Sequence, residues 1–422
     1  MTILLAALTL AAPGDSLGLA EWLDLALANS PEAVRAGAMV LQADATFSES
    51  RASLLPRLSL SASTGRSWDP GSGDAPPSSE DGTTASLGLS LTADLLASGG
   101  SDWLSLRSAD LGREQADLDA EDALLALEHD VASAFHAAVE AAWLVRAAET
   151  ALDRSEAVLG RVEILAGLGG ASTLDLMEAR VQETGDRLAL LRRRQDLDAA
   201  ERELRAVAGV PSEERLVADT ASVADPPSRE AVAALEAMEG SNPALSAAGL
   251  AVARAELGVR MAESSWLPSL GAGLSWNWNG AFADLEDAGS DGVLGVSLTL
   301  SMPVFDGGLA ASRTSSARAS LLEAQAALTS LETRTAASLA LGRDAMEYAL
   351  DGLELAELQL EYASGNYELR LLGYGTGGTT LAGLLDAQSG LTEAEAALVS
   401  ARIACLESEL EYRTLVGLGP GV

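Results

Sequence analysis

Ser241–Gly280 reads SNPALSAAGLAVARAELGVRMAESSWLPSLGAGLSWNWNG, and this stretch decides the fold. Asn242 is a helix cap, Pro243 fits the first helical position, and the apolar residues that follow keep a helical spacing. Pro268 stops the helix, because the residue before a proline is pushed out of the helical region. From Leu270 the period falls to two, with Leu270, Ala272, Leu274, Trp276 and Trp278 on one face. The same order stands earlier in the chain: Ser30-Pro31, a helical run, Leu55-Pro56, then RLSLSAS with Leu58, Leu60 and Ala62 alternating against serines. Each proline pair is 25 positions apart, and the two copies lie 212 apart. The chain is a duplication of one helix-to-strand unit.

Outward from these stretches the two halves keep the same grammar. In the first, a short helix at 19–29 precedes Ser30, and Glu32 complements the next helix dipole. The strand after Pro56 pairs with a second at Thr83–Leu95 (Leu87, Leu89, Leu91) as a hairpin over 57–95, joined by the polar loop 69–82. Helices of about 65 and 35 residues follow over 101–208, broken only around Gly167, Gly169 and Gly170. The segment 211–240, with Pro226-Pro227, links the halves. In the second half the hairpin covers 269–302, its return strand carrying Leu294, Val296, Leu298 and Leu300, and its loop runs over 284–291. FDGG (Phe305–Gly308) matches ASGG (Ala97–Gly100). Long helices cover 309–416, interrupted by GYGTGG (Gly373–Gly378). In the last of them Leu384, Leu391, Leu398, Cys405 and Tyr412 recur every seven residues, with Ala387, Ala394, Ala401 and Ser408 three further on. That is a coiled-coil seam with one small-residue row.

Composition narrows the class. Of 422 residues 48% are apolar but only 4% aromatic, which suits long helices packed closely rather than a thick globular core. No helical run is free of charge over the length of a membrane helix, so a membrane-spanning form must be a β-barrel. The net charge is −35 and all 27 basic residues are arginine, which argues against a nucleic-acid partner. One cysteine allows no internal disulfide and no thiolate metal site. MTILLAALTLAAPGDS predicts a secretory signal over residues 1–12, although it lacks a basic start. No catalytic set, phosphate loop or cofactor motif is present, so an enzyme is not expected.

Each half therefore predicts helix, hairpin, long helix, Gly-rich turn, helix, in repeats spanning 17–210 and 241–417. Four strands of 10 to 12 residues suit a tilted crossing of a bilayer, but a small barrel needs about eight strands. Several copies must each donate four. The number of copies is open at this point.

The Asn/Ser-Pro helix starts, the Leu-Pro switches, MPVFDGG (Met302–Gly308), STLDLMEAR (Ser172–Arg180) and TTLAGLLDAQ (Thr379–Gln388) together resemble the TolC family of outer membrane efflux proteins. Their order and duplicated spacing carry the resemblance over about residues 17–417. It implies a mostly α fold with a membrane β-barrel: a homotrimer with a 12-stranded barrel in the outer membrane and a coiled α-helical tunnel reaching into the periplasm. It further implies a periplasmic membrane-fusion adaptor and an inner-membrane transporter as partners, outer-membrane lipid around the barrel, and passive export in tripartite efflux or type I secretion. The alternative is a periplasmic coiled-coil structural or adaptor protein without a pore.

By position, the resemblance makes Asp175, Glu178 and Asp386 candidates for an acidic gate at the periplasmic tip, with Gly169, Gly170, Gly375, Gly377 and Gly378 in the tip turns. Rings of carboxylates would favour cations at a narrow mouth. The competing reading is that these carboxylates complement helix N-termini and the glycines merely reverse the chain. The second copy has Gly383 where the first has Asp175, which thins the ring. His129 and His136, seven apart, lack the spacing of a metal pair and read as packed or solvated positions. Trp266, Trp276 and Trp278 suit an aromatic girdle or ordinary strand packing.

Overall fold

The computed structural model describes residues 16–66, 83–97, 99–211, 216–221, 223, 225–236, 242–281 and 291–420. The segment expected to be a secretory signal and both hairpin loops, apart from Asp291, lie outside these residues. In chain order the elements are β1 (Ser16–Leu17), α1 (Leu19–Asn29), α2 (Pro31–Ser53), β2 (Arg57–Arg66), β3 (Thr83–Leu96), α3 (Ser101–Gly167) and α4 (Thr173–Val207). Then come β4 (Val217–Ala218), α5 (Arg229–Glu236), α6 (Pro243–Ser264), β5 (Ser269–Ala281), β6 (Val293–Ser301), α7 (Leu309–Thr376) and α8 (Leu381–Val416). The chain divides into two compact units: Met1–Ala38, Asp119–Leu245 and Leu331–Val422 form one, Met39–Leu118 and Ser246–Ser330 the other. Each unit takes corresponding parts of both repeats.

The helix boundaries follow local chemistry. At Ser30 the hydroxyl accepts the Glu32 N–H at 3.1 Å and donates to the Glu32 carboxylate at 2.7 Å, fixing the start of α2. Hydrogen bonds to the charged form hold the Glu32 carboxyl below the usual carboxylate range. Asp306 starts α7 similarly, accepting the Gly308 and Ala310 N–H groups at 2.9 and 2.7 Å. The continuous helical pattern of α7 runs through Gly373 and Gly375 to Thr376, three residues past the first glycine. Glycine in a last helical turn costs only about 1 kcal/mol, which local packing overrides.

The first unit contains a core of Trp22, Phe135, Val139, Leu204 and Ile403, all buried, drawing together α1, α3, α4 and α8. Leu216 joins this core, and β4 pairs in parallel with β1. Val232 and Leu235 of α5 pack with Met346, Tyr412 and Val416. Leu216, Val232 and Leu235, in the segment between the repeats, are thus part of the packed body. Along α8 the seam is buried at Leu384, Leu391, Cys405 and Tyr412, with Ala387 and Ala394 in the small row. His136 Nδ1 meets Glu407 at 2.8 Å and His129 Nδ1 meets Thr414 at 3.2 Å, so both histidines tie α3 to α8.

The second unit contains one antiparallel sheet in the order β2-β3-β5-β6. Its register aligns Leu58, Leu91, Leu274 and Val296 in one row across four strands, and Leu60, Leu89, Trp276 and Leu294 in the next. The opposite face aligns Ser59, Ser90, Ser275 and Gly295, then Ser61, Gly88, Asn277 and Val293. The period of two therefore gives one apolar and one largely hydroxyl- and amide-bearing face. Serine pairs close across strands, Ser59–Ser90 at 2.7 Å and Ser63–Ser86 at 2.6 Å. Trp278 is 3% exposed, packed with Ala85 and lying over Gly280, so at this position strand packing governs. At the helix end of the sheet Gly99 takes φ +70° and its N–H donates to the Pro268 carbonyl at 3.1 Å. A Cβ there would run into the Leu267 side chain, which only glycine avoids.

Candidate functional site at the helical turns

The two Gly-rich turns have one backbone design. α3 ends at Gly167, Gly169 takes φ +80°, and the Gly170 N–H reaches back to the Leu165 carbonyl at 2.8 Å. α7 ends at Thr376, Gly377 takes φ +78°, and the Gly378 N–H reaches the Gly373 carbonyl at 2.8 Å. This is the bond pattern by which a left-handed residue closes a helix. Gly375 lies in the last turn of α7 rather than in the reversal. Beneath the turns Val158, Val162, Ala179, Leu381 and Leu384 form a buried cluster, joined by Leu176, Tyr367 and Tyr374. That packing draws α3, α4, α7 and α8 together at one end.

The next helices begin with hydroxyl caps. Ser172 Oγ accepts the Asp175 N–H at 3.1 Å, while the Asp175 carboxylate accepts the Ser172 N–H at 2.8 Å, a reciprocal capping box. Thr380 Oγ1 accepts the Gly383 N–H at 3.3 Å, and Gly383 has no side chain to return the bond. Asp175 is therefore committed to its helix start. Burial, with the Asp175 carboxylate nearby, pushes the Tyr374 phenol above its usual range. Glu178 is half-buried and Asp386 exposed. Neither carboxylate has a polar partner among the described residues, and they occupy equivalent positions, three past Asp175 and three past Gly383.

Three further features have no motif to announce them. A Cβ at Gly383 would lie 2.8 Å from the Arg370 guanidinium, so the space that Asp175 fills in the first turn is approached by a cation in the second. Gln388, 1% exposed, donates to Asp186 at 3.4 Å and joins α8 to α4 below the turns. Arg154 and Glu395 form a two-pronged pair between α3 and α8. Among the described residues no three histidine, cysteine, aspartate or glutamate side chains cluster as metal ligands.

The outward faces of α4 and α7 carry unpartnered apolar rows. On α7, Leu341, Tyr348, Leu355, Tyr362 and Leu369 recur every seven residues and are 66–74% exposed, on the far side from buried Gly342, Met346 and Ala356. Glu347, Glu354, Glu361 and Glu368 run beside them, all exposed. On α4, Leu174, Val181 and Leu188 keep the same spacing, with Met177 and Leu191 alongside. Arg180, Arg187 and Arg194 flank that row and reach Glu163, Glu156 and Glu149 of α3 at 3.3, 3.3 and 2.9 Å.

The sequence matches the family model for outer membrane efflux proteins over residues 22–210 and 234–418. No curated protein sequence matches. Among solved structures, the outer membrane protein VceC of Vibrio cholerae is 19% identical with a TM-score of 0.80, covering 96% of this chain and 97% of that one. CusC, a protein that forms a transmembrane channel, is 18% identical at 0.81, covering 95% and 92%. The MtrE outer membrane channel of Neisseria gonorrhoeae, in its open state, is 19% identical at 0.78, covering 95% and 89%. The duplicated unit, the four-stranded sheet and the paired turns share that fold, mostly α with a small β-sheet. With both repeats matched, the chain belongs to the outer membrane efflux protein family, whose members are exit ducts and not enzymes.

Proposed function

We propose that this chain is the outer-membrane exit duct of a tripartite efflux or type I secretion system, working as a homotrimer and passing cargo delivered by an inner-membrane transporter through a periplasmic adaptor. The observation that carries this reading is the sheet: an apolar face against a Ser/Asn face, with β2 and β6 left as outer strands. An apolar face of this kind suits lipid, and open edges in lipid leave backbone groups unsatisfied at several kcal/mol each. Twelve strands from three copies remove those edges. The rows on α4 and α7 support the same ring, since a heptad row with flanking charge is a surface for another helix. The Arg row of α4 and the Glu row of α7 are complementary in sign and period.

At the turns, Glu178 and Asp386 are the carboxylates free to set the charge of a mouth, and Asp175 combines its charge with its role as a cap. Three copies would bring rings of each to a narrow opening, favouring cations. Conductance of the purified protein in a planar bilayer, beside its mass in detergent, tests the reading. A trimer-sized particle with small, stable, cation-preferring currents supports it. A monomer that never inserts overturns it and favours the pore-free coiled-coil alternative. Asp386→Asn with Glu178→Gln is expected to lower the cation-to-anion permeability ratio; an unchanged ratio removes the acidic gate while leaving the duct.

A further inference from the structure

The free rows on α4 and α7 agree in more than sign and period. Gly170 and Gly378 hold equivalent places in the two turns, each donating its N–H to the carbonyl five residues back at 2.8 Å. Counted from them, Arg180, Arg187 and Arg194 stand ten, 17 and 24 residues along α4. Glu368, Glu361 and Glu354 stand ten, 17 and 24 residues back along α7. At 1.5 Å per residue the two rows reach the same levels, about 15, 26 and 36 Å from the turns. The apolar rows are staggered instead, Leu174, Val181 and Leu188 at four, 11 and 18 residues against Leu369, Tyr362 and Leu355 at nine, 16 and 23. Side by side, Val181 falls between Leu369 and Tyr362, and Leu188 between Tyr362 and Leu355, the stagger that lets two helices interlock.

The edges agree as well. Each charge directly precedes its apolar neighbour: Arg180-Val181 and Arg187-Leu188 on α4, Glu361-Tyr362 and Glu368-Leu369 on α7. α4 runs away from the turns and α7 toward them, and between antiparallel helices an equal offset puts both charged rows on one edge of the contact. Within one copy the rows do not meet. Val181 and Tyr362 are 74% and 71% exposed, and Glu361 and Glu368 have no polar partner among the described residues. The buried cluster beneath the turns holds both turns of a copy at one end, and a closed ring relates its copies by rotation alone. Levels counted from the turns therefore carry over from one copy to the next.

We infer that α4 of one copy and α7 of the next form an antiparallel seam in one fixed register, with Arg180, Arg187 and Arg194 opposite Glu368, Glu361 and Glu354 of the next copy. Each arginine, already paired with Glu163, Glu156 or Glu149 of α3, then stands between carboxylates from two copies. The occupant is a second copy because sign, level, stagger and edge all match on surfaces of the same chain. One step further the register sets Glu347 against Glu201, which pairs with Arg205 of its own helix at 3.7 Å, so the ladder has three rungs. The inference rests on the duct reading and adds the register to it.

Cys405 is buried and is the one cysteine, so pairs of thiols can be introduced without a competing site. Arg187→Cys is combined with Glu361→Cys, with Glu368→Cys or with Glu354→Cys, and each full-length protein is treated in detergent with a short bismaleimide. A shift of seven residues is about 10 Å, so the first pair is expected to link fastest, giving covalent dimers and trimers on a denaturing gel. Faster linking in either shifted pair overturns the register. Linked chains that run as monomers place α7 against α4 of its own copy and overturn the seam. Trimer-sized particles that link in none of the three overturn the seam, leave the duct, and open both rows to another helical protein. Particles no larger than a monomer overturn the duct reading and the seam with it. A charge swap reads the rungs: Arg187→Glu is expected to lower the temperature at which the trimer dissociates, and Glu361→Arg on the same chain to restore it where Glu354→Arg does not. Equal rescue by both overturns the pairing of Arg187 with Glu361.

Discussion

At the turn from α3 to α4, Gly169 at φ +80° closes one helix and Ser172 with Asp175 opens the next; at the turn from α7 to α8, Gly377 at φ +78° does the first task and Thr380 with Gly383 the second. The closing bonds are both 2.8 Å. The opening differs, since a carboxylate is bonded back in one turn and in the other there is no side chain at all, with Arg370 close by. The backbone is repeated because reversing a helix within a few residues admits few conformations, and glycine at positive φ supplies the one used. The third helical position is free to diverge, because losing one arm of a cap costs only about 1 kcal/mol. Geometry is shared between the halves, and charge is not.

The largest expected effect is beneath the turns. Leu384 is wholly buried, whereas its counterpart Leu176 is only partly so. Leu384→Ala is expected to cost about 2–5 kcal/mol of local stability, and Leu176→Ala less. Hydrogen exchange of the first turns of α8 and α4 reads both, and equal losses would break the asymmetry. Next come the glycines. Gly169→Ala and Gly377→Ala are each expected to cost about 1–2 kcal/mol, since both force a Cβ into the left-handed region. A clear difference between the two in thermal unfolding would show that the shared backbone is not shared in energy. Smaller again is the cap: Ser172→Ala is expected to cost about 1 kcal/mol and Thr380→Ala less, because only Ser172 belongs to a reciprocal box. Amide exchange at Asp175 and Gly383 compares them directly.

How far these features were legible in the sequence follows from how local their causes are. Ser30-Pro31 and Asn242-Pro243 place helix starts, Pro56 and Pro268 place helix ends, and the Leu/Ser alternation places the strands and their faces, because each is decided within a few residues. The seam of α8 was legible for the same reason. The pairing of β1 with β4 over two residues each was not, since so short a contact between distant segments has no periodic signature. Nor was the packing of Leu216, Val232 and Leu235, which sit in a stretch whose prolines and charges read as a linker. At the turns the candidates Asp175, Glu178 and Asp386 came from position within a motif. The division of labour between them depends on hydrogen-bond geometry, and the approach of Arg370 to Gly383 on packing between helices, which sequence spacing does not encode.

The smallest expected effect separates shape from charge most directly. Gly383→Asp rewrites the second turn in the manner of the first. The new Cβ would meet Arg370 at 2.8 Å, but the contact is with the far end of a long side chain, which can swing aside. The carboxylate can then reach back to the Thr380 N–H as Asp175 does to Ser172, and it stands beside a guanidinium and a helix N-terminus. Each of these favours the charged form, and together with replacing a helical glycine they are expected to stabilise the start of α8 by about 0.5 kcal/mol. In a bilayer the same change adds a carboxylate per copy at the mouth, so the cation-to-anion permeability ratio is expected to rise. Stabilisation with an unchanged ratio would mean that carboxylates at this position only cap helices, and Asp175 would then leave the gate for the scaffold. A raised ratio without stabilisation would mean that Arg370 holds the new side chain away from Thr380, so that the second turn differs from the first because of its neighbour on α7 and not because of the missing aspartate.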